Sequence, residues 1–144
     1  DKCVDGRIRS LDVSSYVSPV AVIPEVRSFV DRKLVEYGKN KRIVMDGRDI
    51  GTSVFPDADL KIFMTADDNI RAERRLKEME AAGQHPDFKD VLKNLKSRDY
   101  IDSHRETSPL RQASDAIVLD NTDMTLEDQM VWIRNLIKEK FGDR

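Results

Sequence analysis

An α/β fold, with a parallel sheet under helical cover, follows from three features of this sequence. Short apolar, β-branched runs of strand length occur at Arg42-Ile43-Val44-Met45, Leu60-Lys61-Ile62-Phe63-Met64 and Ala116-Ile117-Val118-Leu119. Segments with helical periodicity lie between and around them. Strands that alternate with helices imply parallel pairing, with the helices packed on the sheet.

In chain order, residues 1 to 23 are mixed, punctuated by Gly6 and Pro19, with a short helix expected around Leu11 to Val17. Pro24 suits the first turn of a helix. Val26, Phe29, Val30 and Leu34 then recur at helical spacing, and Gly38 is the expected stop. The strand at 42–45 should be buried and end at Asp46. After the turn at Pro56-Asp57 comes the second strand. Asp67 caps a helix expected to reach Gly83, with Asp68 favourable in its first turn. Another helix runs from about Asp87 to Glu106, ahead of Pro109. After the third strand, Thr125 caps an amphipathic helix on Leu126, Met130, Ile133 and Ile137.

The chain has 144 residues, one domain's worth. Its 25 basic and 27 acidic side chains nearly cancel, to a net charge of -2. That balance argues against a broad nucleic-acid footprint, though not against a local basic pocket. One cysteine, Cys3, allows no internal disulfide and fits a reducing cytoplasmic setting. No stretch has the apolar length of a membrane span. The chain opens at Asp1-Lys2-Cys3 without Met, so its natural start is expected upstream.

Chemistry concentrates where the first strand ends, at Met45-Asp46-Gly47-Arg48-Asp49-Ile50-Gly51-Thr52-Ser53-Val54. In open α/β sheets the carboxyl ends of strands face the ligand crevice. A cation and anions fixed there suit a small charged ligand; a solvated turn is the plainer alternative. On the 87–106 helix, Phe88, Val91, Leu92 and Leu95 form the core-facing stripe. Farther along, Arg98, Asp102 and Arg105 lie within about 60° of one another at the stripe's edge. They either pair among themselves at i+3 and i+4 or line a cleft and offer guanidinium forks to an anion. Asp99 lies nearer the stripe centre, with no role assigned. Arg71, Arg74 and Arg75, at i, i+3 and i+4, crowd like charge on one face. Glu78 relieves them if that face is solvated; with Arg27, Arg48, Arg98 and Arg105 they would form an arginine clamp on a transferring phosphoryl group.

This constellation resembles the C-terminal two-thirds of bacterial-type cytidylate (CMP) kinases, P-loop nucleoside monophosphate kinases. The matching blocks are Ile8-Arg9-Ser10, Val17-Ser18-Pro19-Val20-Ala21, Pro24-Glu25-Val26-Arg27, Met45 through Thr52 and Phe55-Pro56-Asp57-Ala58. They continue with Arg71-Ala72-Glu73-Arg74-Arg75, Arg98-Asp99 through Asp102 to Arg105, Pro109-Leu110 and Leu119-Asp120-Asn121-Thr122.

The resemblance implies a parallel sheet with helices on both faces, incomplete in this chain. Residues 1–40 would be part of the monophosphate-binding region, 41–66 core strands, 67–106 lid and flanking helices, and 107–144 a core strand and the C-terminal helix. It implies transfer of the ATP γ-phosphoryl group, with Mg²⁺, to CMP or dCMP. Ser18, Arg27 and Asp49 would read the cytosine edge, Arg98 and Asp102 the ribose hydroxyls, and Arg48 and Arg105 the CMP phosphate. Arg71, Arg74 and Arg75 would belong to a lid over the phosphates, with the contacting residue not fixed. Asn121 and Thr122 either border the adenine of ATP or form a plain turn. Asp46 either holds Mg²⁺ through water or caps a turn.

One departure is severe. Such kinases cradle phosphate in a G-x-x-x-x-G-K loop. Here the only Gly-Lys pair is Gly38-Lys39, with Lys33 where that loop needs glycine. The loop is expected ahead of Asp1, and this chain alone is expected to be inactive, with apolar surface left for a missing strand to cover. Two other readings are another nucleoside monophosphate kinase, and a non-catalytic nucleotide- or protein-binding module.

Overall fold

The structure, a computed structural model, describes residue 8, residues 11–40 and residues 42–142. Cys3, Gly6, Arg9 and Ser10, named above, lie outside the described residues. The elements are α1 (Leu11–Ala21), α2 (Pro24–Gly38), a π-helical turn (Ile50–Val54), β1 (Ile62–Thr65), α3 (Asp68–Ala81), α4 (Phe88–His104), β2 (Ile117–Asp120) and α5 (Leu126–Phe141). The fold is α/β, as expected.

β1 and β2 pair in parallel, from Ile62 opposite Ile117 to Thr65 opposite Asp120. Lys61 ties their starting ends: its Nζ lies 2.9 Å from the Asp115 carboxylate and also donates to the Pro56 carbonyl. The core sits between α3 and α4, where Ala72, Met79 and Val91 are buried against Leu76, Phe88, Leu92 and Leu95. The apolar stripe read from the sequence of α4 is therefore the face it buries. α1 packs on α4 and α2, and α2 on the π-turn.

Local chemistry explains most boundaries. The Asp67 carboxylate accepts from the Asn69 and Ile70 amides at 2.8 and 3.3 Å, and that of Asp87 from Lys89 N at 2.7 Å. Thr125 and Asp128 form a reciprocal capping box on α5. α3 ends two residues short of Gly83, which follows in the left-handed region at φ 77°. α1 runs past the expected Val17 to Ala21 with Pro19 inside it, at the cost of the hydrogen bond that a proline nitrogen does not donate.

One expectation is corrected. The segment 42–45 is not a strand: it pairs with no strand among the described residues, and Val44 is fully exposed. An apolar run specifies a strand only where a neighbour supplies the ladder. Gly38 is the last residue of α2, as expected, although the helix closes through Lys39 in ordinary right-handed geometry. Its lack of a side chain also admits the Phe55 ring, which a Cβ would strike. The stripes on α2 and α5 bury no residue; Phe29 is exposed, and so are Leu126, Met130 and Ile137. The uncovered apolar surface expected above is present on the sheet as well: Leu119 is buried, while Met64 and Val118 stand open.

Candidate active site

The π-turn begins at Asp49, whose carbonyl accepts from the Ser53 amide at 2.8 Å, and closes with Phe55 N donating to Ile50 O at 2.7 Å. Such i→i+5 turns are rare and concentrate at functional sites. This one leaves the Asp49 carboxylate 3% exposed, among side chains delivered by α2 and α4. Arg27 Nη2 donates to both Asp49 oxygens, at 2.6 and 2.7 Å. From the end of α4, Arg105 Nη2 reaches Asp49 Oδ1 at 3.2 Å, and its Nη1 lies 3.6 Å from Asp102 Oδ1. Arg48 Nε donates to Asp102 Oδ2 at 3.2 Å.

Arg27, Asp49, Arg105, Asp102 and Arg48 therefore form one chain of alternating charge, assembled from segments as much as 78 residues apart. Asp102 and Arg105 do pair at i+3 along α4, yet the network's other links cross between elements. Asp102 and Arg105 are themselves 3% and 8% exposed.

The loop after α4 braces this cluster. Ser108 adopts φ 52°, unusual for a residue with a side chain, and its carbonyl accepts from Arg105 Nε at 2.7 Å. Leu110 N donates to Asp102 O at 2.7 Å. Arg98, one turn before Asp102, has its pKa pulled down first by burial and then by the Arg48 charge, with Arg75 adding to the repulsion. Asp102 and Asp99 offset part of this. Arg48 and Arg75 thus add positive charge around Arg98.

Ser18 is buried on α1, and its Oγ has no hydrogen-bond partner among the described residues; the same holds for Arg27 Nε. Both are polar atoms that burial penalises until something bonds them.

The α3 arginines separate. Arg71 Nη1 meets Asp99 Oδ2 at 2.5 Å and Asp68 Oδ1 at 3.3 Å; the Asp99 bond raises its pKa against the opposing effect of burial. Arg75 Nη1 lies 3.2 Å from Glu78 and electrostatically close to Arg98. Arg74 turns the other way, onto the loop after β2. Asn121 is buried there with its Nδ2 donating to Gln129 Oε1 at 3.0 Å. Thr122 Oγ1 donates to Asp120 Oδ1 at 2.7 Å and accepts from Asp67 N at 2.9 Å. Asp46 is exposed ahead of Gly47. Among the described residues, no three His, Cys, Asp or Glu side chains are grouped to hold a metal.

Two participants escaped the sequence reading. Asp31, one turn beyond Arg27, lies 2.9 Å from its Nη2, and the i+4 spacing was the available signal. Asp99, left without a role, is the partner of Arg71 across two helices, which no local spacing reveals.

A family model described as cytidylate kinase matches residues 1–139. The chain is 52% identical over 139 residues to a cytidylate kinase of Bacteroides thetaiotaomicron, covering 96% of this chain and 59% of that protein. A cytidylate kinase of Parabacteroides distasonis is 57% identical over 139 residues, covering 96% and 61%. One from Flavobacterium johnsoniae is 51% identical over 136 residues, covering 94% and 59%. The chain thus spans about three fifths of the length of the curated relatives it matches.

Proposed function

Because the chain belongs to the cytidylate kinase family, we propose that its protein transfers the γ-phosphoryl group of ATP to CMP or dCMP, giving ADP and CDP or dCDP. The observation that carries this reading is the convergence of Arg27, Asp49, Arg105, Asp102 and Arg48, with Arg98 electrostatically adjacent.

Cytosine presents an exocyclic amine and ring acceptors. Asp49 accepts from the amine, while Arg27 and the Ser18 hydroxyl serve the remaining edge. A base of the wrong pattern leaves those buried groups unbonded, which is the strongest source of discrimination such a pocket has. Arg98 and Asp102 take the ribose hydroxyls; Arg48 and Arg105 take the monophosphate. Arg105 is committed to Asp49, Asp102 and the Ser108 carbonyl, so the phosphate gains it by exchange of partners. Arg71 and Arg75, on the α3 face toward Asp99 and Arg98, carry the lid role and face the transferring group. Asn121 and Thr122 belong to the ATP side.

The chemistry is in-line attack by a CMP phosphate oxygen on the γ-phosphorus as the bond to ADP breaks. The chain's contribution is positioning and charge stabilisation, with no covalent protein intermediate. A second part of the protein supplies the G-x-x-x-x-G-K loop. Asp46 is our candidate for reaching Mg²⁺ through water; the described residues form no direct metal site, and no step is routed through the ion. A cytoplasmic setting belongs to the same proposal. No helix among the described residues is long and apolar enough to cross a membrane.

The test is turnover by the full protein with ATP and each monophosphate. CMP and dCMP should react much faster than UMP, AMP or GMP. Comparable or greater activity on AMP or GMP would overturn the base-reading assignment.

A further inference from the structure

On α3, Arg74 and Arg75 point about 100° apart, and their surroundings differ accordingly. Arg74 Nη1 donates to Asn121 Oδ1 at 3.0 Å. Its Nη2 lies 2.7, 3.2 and 3.3 Å from the carbonyl oxygens of Asn121, Thr122 and Met124. One guanidinium thus gathers three backbone carbonyls of the loop between β2 and α5. Nη2 is fully taken up by the three carbonyls and Nη1 is shared with Asn121, so a phosphate that drew on Nη2 would have to displace the loop.

The loop has a functional address. It leaves the carboxyl end of β2 beside Asp67, which leaves the carboxyl end of β1, and the two are joined by Asp67 N donating to Thr122 Oγ1. The carboxyl crest of a parallel sheet is where ligands enter. The opposite edge of the α3 charged face looks toward Asp99 and Arg98, the side assigned to the monophosphate.

We infer that Arg74 is a positioning residue for the nucleotide donor: it fixes the Asn121–Met124 loop and touches no phosphate. This rests on the kinase reading above, and it separates Arg74 from Arg71 and Arg75. Hydrogen bonds from a charged donor hold carbonyls more firmly than neutral ones do, so the loop keeps one shape before any nucleotide arrives. Pre-set geometry spares a ligand the cost of ordering its own site.

The experiment uses the full protein as wild type, Arg74→Met and Arg74→Lys. Binding of ATP, ADP and CMP is measured by calorimetry, and amide exchange is followed at Asn121, Thr122 and Met124. Arg74→Met should weaken ATP and ADP by a similar factor, roughly tenfold. It should leave CMP affinity within about twofold and speed exchange in the loop. Arg74→Lys, which retains a donor, should recover part of both effects. Unchanged ATP and ADP affinity overturns the inference. So does a loss confined to ATP, which would mean direct contact with the γ-phosphate. Equal losses for CMP and ATP with a lowered Tm would reduce Arg74 to a fold residue and overturn it as well. A wild type that binds ATP and ADP without phosphorylating CMP sinks the kinase reading alone, and the variant affinities still decide Arg74.

Discussion

Replacing Asp49 by Asn tests the charge network at its centre. The substitution keeps shape and one acceptor oxygen while removing the charge that faces Arg27 and Arg105. Those side chains are 11% and 2% exposed, so water does little to compensate them. Breaking a buried ion pair from one side costs about 3–5 kcal/mol. Arg27 keeps Asp31 at 2.9 Å, and Arg105 keeps Asp102 and the Ser108 carbonyl, which places the expected loss at the low end, about 3 kcal/mol. With domain stabilities of about 5–15 kcal/mol, that loss is a large fraction of the total. It corresponds to a fall in Tm of about 6–12 °C. The assay is thermal and urea unfolding of wild type, Asp49→Asn and Arg48→Ala. Arg48 is 41% exposed, so deleting its pair with Asp102 should cost less than about 1 kcal/mol. Adding Arg105→Met to Asp49→Asn should recover part of the loss, since fewer buried cations then lack a counter-charge. An Asp49→Asn loss below about 1 kcal/mol, or one no larger than that of Arg48→Ala, would refute the view that this network is buried and interdependent.

Three further outcomes are expected. Thr125→Ala should lower stability by about 1 kcal/mol by opening the capping box with Asp128, read as a drop in urea midpoint at unchanged m-value. Ser108→Gly should be neutral or stabilising by up to about 1 kcal/mol, because glycine adopts φ 52° without strain, whereas Ser108→Val should destabilise; a clear loss with glycine would contradict strain at this position. Asp67, Asp120 and Asp128 have carboxyls held below the usual range, by the Asn69 and Ile70 amides for the first, the Thr122 hydroxyl for the second and the Thr125 hydroxyl for the third. A depressed folded-state pKa stabilises above the unfolded value and is lost as pH falls through the folded one, so stability should decline below about pH 4. NMR titration placing these groups at or above ordinary values would remove that contribution.

Elements with local determinants were legible in the sequence. The caps at Asp67, Asp87 and Thr125 and the α4 stripe act within a turn or two of their own position, so spacing reveals them. The segment 42–45 was not, because a strand exists only through its neighbour, and composition carries no information about whether one is present. At the site, residue types pointed to Arg48 and Asp49 even though the strand invoked beside them is absent among the described residues, and place at the edge of the α4 stripe pointed to Asp102 and Arg105. Which cation meets which anion was set by packing between α2, the π-turn and α4, far apart in the chain. The α3 trio shows the limit most clearly. Spacing of i, i+3 and i+4 puts three arginines on one face, yet Arg71 and Arg74 differ entirely in partner because two different structures flank that face.

The parallel pair β1–β2 carries a liability of its own. Among the described residues no third strand joins this ribbon of two four-residue strands, so amides and carbonyls line both outer margins, and Met64 and Val118 add exposed apolar bulk beside them. Unsealed margins of this sort recruit strands from other molecules. Handled by itself at high concentration, the 144-residue chain is expected to self-associate through this ribbon.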